Sequence, residues 1–253
     1  MNKDKIKAEN IKILEKYSLA FEIKNHKVYA QFDDFVLFGD IYDKSFGHNI
    51  SEYFEDEYKI LNLNLNSKAV LDLGSNIGEF AIKCVLNGAN VICFEPNRKV
   101  YKLLQKNIKQ NNFKHQITTY NKGAWTSRTY KLIFYKKHGT GAASILRTNL
   151  SIKSKLLTRR LALFKLINLN RFLQNNVKFY LLKIDIEGAE HLLISKLTKL
   201  DKTHLPDRIV LEYHGGIKDL ISNFEKIGYR TKSIPKNETT GLIFANRIDK
   251  EII

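Results

Sequence analysis

The sequence predicts one α/β domain: a mostly parallel central sheet, helices on both faces, and an antiparallel hairpin at the C-terminal edge. Three observations predict it. From residue 69 onward, short apolar runs alternate with amphipathic helical periods, the pattern of strands buried on both faces between crossover helices. The 253 residues fit one such domain with decoration, since two would each be small. A composition of 43% hydrophobic residues with only 3 prolines supplies a core and lies far from that of a disordered chain.

Residues 1–60 read as an N-terminal decoration: a short charged helix, then hairpin-like strands at 21–23 and 35–38, with Tyr29, Phe32, Phe46, Tyr53 and Tyr58 among them. Packing on the core is its expected use, and covering the pocket is the alternative. Residues 61–253 hold the core domain. Its first strand is residues 69–73, followed by a helix at 79–86 closed by Gly88. A second strand at 91–94 leads to Asn97, which can cap a helix with Val100, Leu104 and Ile108 on one face. Residues 117–120 and 132–135 read as strands, and a long basic stretch runs from 136 to 160. A strand at 179–184 with its helix at 189–197, and one at 209–211 with a helix at 217–227 ended by Gly228, continue the series. Residues 230–234 and 241–245 make the edge hairpin.

With 42 Lys and Arg against 26 Asp and Glu, the net charge of +16 suits nucleic acid, anionic membranes or phosphorylated substrates, and equally a Lys-rich solvated surface. Cys84 and Cys93 sit among apolar neighbours and read as core residues. Neither zinc spacing nor a disulfide framework is present, which suits a reducing cytoplasm. Residues 1–16 lack the apolar core of a signal peptide, and no stretch approaches the ~18 apolar residues of a membrane span. The expectation is a soluble cytoplasmic protein, with peripheral membrane attachment left open.

The sharpest feature is the run from Val70 to Phe80, VLDLGSNIGEF, a strand entering a Gly-containing turn and then a helix. Such a turn lies in the crevice beyond a strand's carboxyl end, where doubly wound sheets bind nucleotides. Glu95 ends the second strand about 20 residues later, in register to accept hydrogen bonds from ribose hydroxyls. A dinucleotide fingerprint requires glycine at 74, 76 and 79; here 76 is Asn and 79 is Glu. Glu79 would repel a pyrophosphate. Gly-x-Asn-x-Gly preceded by Asp72 suits instead a ligand with a sulfonium and an amino acid end.

Taken with three further motifs, these residues resemble the FkbM family of S-adenosylmethionine-dependent O-methyltransferases, over about residues 65–245. The most distinctive part is LKIDIEGAE, Leu182 to Glu190, similar to the family's Lys-x-Asp-x-Glu-Gly-x-Glu signature. Residues 70–80 resemble its first motif and Phe94-Glu95-Pro96-Asn97 its second. Asn121-Lys122-Gly123-Ala124-Trp125 resembles the turn after the third strand, near the adenine in similar enzymes, and Leu211-Glu212-Tyr213-His214 the strand ending in Glu-x-His. The resemblance implies a Rossmann-like class I methyltransferase fold, S-adenosylmethionine as cofactor, and hydroxyls of sugars or other small molecules as acceptors. Expected cofactor contacts are Asp72, Gly74, Ser75, Asn76, Gly78, Glu95, Pro96, Asn97, Gly123, Ala124 and Asp185. The chain departs from the family in its longer, more charged 136–160 stretch, which leaves the acceptor open.

Methyl transfer to oxygen needs in-line alignment first and a positioned base second. Asp185 and Glu187 alternate along a strand end and can face one crevice. Asp185 is the first choice beside the reacting methyl. His214 is the base better matched to neutral pH, and its alternative is a hydrogen-bonded histidine at a strand end. Asp185, Glu187, Glu212 and His214 as ligands of a divalent ion is the minor reading, and no metal is expected. Lys183 and Glu190 read as a structural pair at the helix entrance. The 136–160 stretch, with small residues at 139–144 followed by Arg147, Lys153, Lys155, Arg159 and Arg160, either closes over an anionic acceptor or is a solvated surface. The rivals are an RNA methyltransferase, for which the charge argues, and a nucleoside-binding scaffold without activity. An NAD-dependent oxidoreductase is disfavoured by Asn76 and Glu79.

Overall fold

The computed structural model describes residues 2–136, 143–144, 159–186 and 188–250. Helix α1 (Lys3–Lys16) begins on Asn2, whose side chain accepts the Asp4 amide. Strands β1 (Ala20–Lys24), β2 (Lys27–Gln31) and β3 (Val36–Asp40) form an antiparallel meander, and helix α2 (Lys44–Glu55) follows it. The sequence pattern does not mark β2 or α2. Gly47, a weak helix former, obscures the period of α2; its value is spatial, since a Cβ there would lie 2.5 Å from Oδ1 of Asn10 on α1.

The core continues in chain order with β4 (Ala69–Leu73), α3 (Glu79–Leu86), β5 (Asn90–Phe94), α4 (Arg98–Gln110) and β6 (Ile117–Tyr120). Next come β7 (Gly123–Trp125), β8 (Thr129–Lys136), β9 (Ala143–Ser144), β10 (Arg159–Asn168), α5 (Leu169–Gln174), β11 (Leu181–Ile184) and α6 (Glu190–Leu197). The chain closes with β12 (Arg208–His214), α7 (Lys218–Lys226), β13 (Tyr229–Pro235) and β14 (Thr240–Arg247). As expected, Asn97 caps α4 by accepting the Lys99 amide, and Val100, Leu104 and Ile108 are buried.

Seven strands form the main sheet in the order β13-β14-β12-β11-β4-β5-β6. Pairs from β12 to β6 are parallel; β14 runs antiparallel to both β12 and β13. The chain steps from β4 to β5 on one side and returns to β11 on the other, so the topological switch lies at the carboxyl ends of β4 and β11. Alternation sorts the side chains. Leu71, Leu73, Leu182, Ile184, Ile209 and Leu211 share one core with residues of α5, α6 and α7, whereas Val70, Leu181 and Val210 share another with α3, α4 and the N-terminal region.

The strand expected at 132–135 is not a rung of the main sheet. It lies in β8, within a second sheet of order β7-β10-β8-β9, where β10 pairs with β8 from Arg159↔Lys136 to Leu166↔Thr129. Trp125, Phe164, Leu166 and Ala189 form its small core. The basic start of β10 makes it continuous in composition with the 136–160 stretch, so the sequence pattern does not mark it as a strand. Of that stretch, residues 137–142 and 145–158, including Arg147, Lys153 and Lys155, lie outside the described residues, and Arg159 and Arg160 are described as backbone.

Buried asparagines dock the N-terminal region. Asn107 of α4 accepts the Phe38 amide at 2.7 Å and donates to the carbonyls of Phe38 and Ile77, and Asn111 bonds both backbone groups of Val36. Asn10 accepts from Gly47 N and donates to the carbonyls of Ile41 and Asp43. Saturated in this way, a buried amide adds stability instead of a desolvation cost. Among the described residues, no helix is long and apolar enough to cross a membrane.

Candidate functional site

The turn after β4 takes positive φ at three alternate positions, Gly74 (+84°), Asn76 (+48°) and Gly78 (+100°). Glycine at 74 answers a close approach as well as a dihedral: a Cβ there would lie 1.8 Å from the Asp185 carbonyl oxygen. The first glycine therefore lets the turn press against the strand end that carries the signature acid, where ligand approach is the expected reason for it. The Phe94 carbonyl accepts from the amides of Gly74 and Ser75, and the Ser75 hydroxyl donates to the Asp72 carbonyl.

Glu95 closes this cradle. Its two carboxylate oxygens accept from Asn97 N at 2.7 Å and Asn76 N at 3.2 Å, tying the first motif to the second. A carboxylate offers about four lone-pair directions, so two remain for ribose hydroxyls. Asn121 reaches back to the carbonyls of Glu95 and Pro96, which places Pro96 and the 121–124 segment beside the same crevice. Gly123 and Ala124 lie in a strand, not in the expected turn. They pair with Leu166 and Ile167 of β10 and are buried.

Burial pushes the Glu95 carboxyl up to about 8, against the pull of the Asn97 and Asn76 amides. Ribose hydroxyls donate better to the ionised form, so binding of the nucleoside should release a proton. Affinity for S-adenosylhomocysteine is therefore expected to rise from pH 6 to about 8 and then level, and Glu95→Gln to weaken it about tenfold and remove the slope. Calorimetric titration across that range checks this; a flat wild-type profile would contradict it.

Lys183 departs from the structural pair with Glu190 expected of it. Register sets it opposite Asp72 on the N-terminal face of the sheet, where its Nζ lies 3.2 Å from Asp72 Oδ1, 3.0 Å from the Gly74 carbonyl and 3.7 Å from Asp185 Oδ2. The rings of Tyr58 and Phe80 stand 5.2 and 5.4 Å from it. Burial works against its charge, and Asp72 and Asp185 more than offset it, holding the ammonium above the usual lysine range. Asp72 has no exposure at all, so it acts on the crevice through Lys183 and not by touching a ligand.

Asp185 follows β11, its carboxylate a quarter exposed and also met by the Tyr58 hydroxyl at 3.4 Å, a long contact. Glu187 lies outside the described residues. His214 ends β12, and its Nδ1 is 3.3 Å from Glu190 Oε1, an oxygen that also accepts the Gly188 amide. This contact suits both readings weighed from sequence, since a buried carboxylate on an imidazole both gives it a hydrogen-bond partner and orients it as a base. Glu212 bonds Lys236, which also reaches Glu57 of the N-terminal region. Burial, then Asp185, push Glu212 upward, with Lys236 opposing. Within the metal set weighed from sequence, Glu212 and His214 thus hold protein partners; among the described residues no His, Cys, Asp or Glu cluster is arranged to hold a metal. Cys84 and Cys93 are fully buried, and Cys93 stands in register with Asp72 beneath the turn. Burial pushes both thiols well up, away from nucleophilic use.

The residues fit the expected cofactor. The turn is not the glycine-lined loop of an anion cradle, since Glu79 stands buried at the start of α3. Burial, then Glu52, push its carboxyl up to about 8, so near neutral pH its bulk and not its charge stands in the way of a pyrophosphate.

Comparison with known proteins gives one family. A model described as the methyltransferase FkbM domain matches residues 72–231, more than half of the chain. No curated protein sequence matches it. Among solved structures, the Pyrococcus horikoshii protein PH0793, assigned as a transferase, is 12% identical with a TM-score of 0.52, over 88% of this chain and 71% of that one. A tRNA methyltransferase of Methanocaldococcus jannaschii is 16% identical with a TM-score of 0.51, over 89% of this chain and 59% of that one. Trm5 of the same organism, in complex with adenosine, is 15% identical at 0.50, over 90% and 57%. At these identities the likeness concerns the fold.

Proposed function

This chain belongs to the FkbM methyltransferase family, and on that footing we propose that it transfers the methyl group of S-adenosylmethionine to a hydroxyl of a sugar, glycan or other small-molecule acceptor. The supporting observation is the cluster at the switch point. A partly exposed carboxylate, Asp185, stands against the donor turn, held by a buried ammonium and a tyrosine hydroxyl.

The cofactor supplies an electrophilic methyl on a sulfonium, and the chain holds and aligns the partners. Gly74, Ser75, Asn76 and Gly78 shape the cradle for the amino acid end. Glu95 takes the ribose. Pro96, Asn97, Gly123 and Ala124 bound the base. With the cofactor bound, Asp185, or His214 oriented by Glu190, would take the proton that the acceptor hydroxyl gives up on methylation. Glu187, two residues beyond Asp185, is assigned to the acceptor side by the signature alone. Alignment of this kind contributes up to about 7–11 kcal/mol in well-oriented systems, so the reaction does not require a covalent intermediate.

Beside the partly exposed Asp185, the Lys236-bridged Glu212 and Glu57 add carboxylate oxygens that would accept hydrogen bonds from the hydroxyls of a polyol. The net charge of +16 favours RNA as the second reading. Methyl-labelled cofactor, offered with a panel of sugars and lipid-linked or phosphate-linked glycans beside total RNA, separates the two. Label is expected in the glycan fraction as an alkali-stable ether. Label in RNA alone, with steeply salt-dependent binding, would overturn the acceptor assignment.

A further inference from the structure

Three buried asparagines tie the N-terminal region to the core or to itself, and they differ in one respect. Asn10 and Asn107 each spend both amide ends on backbone partners. Asn49 of α2, 1% exposed, does not. Its Oδ1 accepts from Asn76 Nδ2 at 3.1 Å, while its Nδ2 and the Asn76 Oδ1 are buried without a partner among the described residues. Exchanging nitrogen and oxygen in both amides preserves the contact and again leaves one donor and one acceptor unused. An unmet buried polar atom is costly, and here two of opposite character belong to one pair at the donor turn.

We propose that Asn49 is a cofactor-positioning residue supplied by the N-terminal region: with Asn76 it binds the zwitterionic amino acid end of S-adenosylmethionine. The amide N–H donates to the cofactor's carboxylate and the amide oxygen accepts from its ammonium, which satisfies both orphaned atoms at once. This rests on the methyltransferase reading and extends it, because it makes α2 part of the donor site. It also explains why α2 packs on α3 at the turn itself, where an apolar residue at position 49 would dock as well.

The test compares two ligands that share the adenosine but differ at the amino acid end. S-adenosylhomocysteine carries the zwitterion, and 5′-methylthioadenosine lacks it. In the full-length protein, Asn49→Ala and the isosteric Asn49→Asp are each expected to weaken S-adenosylhomocysteine about tenfold and to leave 5′-methylthioadenosine unchanged by calorimetric titration. Unaltered S-adenosylhomocysteine binding, or equal loss for both ligands in the two variants, would overturn the proposal. A wild-type protein that binds neither ligand would instead remove the methyltransferase reading beneath it.

Discussion

Lys183→Met is expected to lower the stability of the fold by about 3–5 kcal/mol, the usual consequence of stripping one partner from a buried ion pair. Asp72 has zero exposure, one of its oxygens has no partner among the described residues, and the other accepts from Lys183 at 3.2 Å. Without the ammonium it must take up a proton or stand as an uncompensated charge between β5 and β11. For a chain of this size each kcal/mol moves Tm by about 2–4 °C, so a loss of roughly 10 °C is expected in thermal unfolding followed by circular dichroism. Removing both charges, as Lys183→Met with Asp72→Leu, should restore most of that loss, since an apolar replacement of a buried pair is commonly close to neutral. A single variant as stable as the wild type would show that Asp72 is not held as the ion this account requires.

Asp185→Ala should have the opposite profile, an intact fold with methyl transfer reduced by about 10²–10⁴-fold. Its side chain is a quarter exposed and, among the described residues, bonds no backbone group. The contacts that fix this strand end, Asp185 N to the Leu73 carbonyl and the Asp185 carbonyl against Gly74, belong to the main chain and survive the substitution. Lys183 keeps Asp72 and the Gly74 carbonyl. Affinity for S-adenosylhomocysteine is expected to stay within a few-fold of wild type while turnover collapses, and Asp185→Asn, which preserves the shape, should behave alike. Turnover unchanged in either variant would take Asp185 out of the mechanism.

The scaffold was legible because its determinants are local. Buried parallel strands are short apolar runs, and the runs at 69–73 and 117–120 match β4 and β6 end for end. Cap residues such as Asn97 announce a helix within a few positions. What escaped depends on partners distant in sequence. Strand β10 reads as basic surface until β8 is placed beside it, and α2 carries a glycine whose reason is Asn10 on another helix. At the site, the sequence named Gly74, Glu95 and Asp185 from motif position. It could not show that Lys183 serves Asp72 and not Glu190, because only the parallel register of β4 and β11 brings them together. A lysine flanked by apolar residues inside a strand was the available signal: Leu181, Leu182 and Ile184 surround it, and a charge so placed requires a buried counter-charge.

The same ion pair sets an order of events during synthesis. Asp72 and Lys183 are 111 residues apart, so the ribosome makes the donor turn long before the cation that stabilises the strand beneath it. Through that interval the nascent β4–β6 half has an acid at its centre and an uncovered edge where β11 will dock, the kind of edge that invites pairing with other chains. Cooperative closure of the sheet therefore waits for the second half to emerge, and chains halted before residue 183 should be held by chaperones or proteolysed instead of accumulating as a folded nucleoside-binding half.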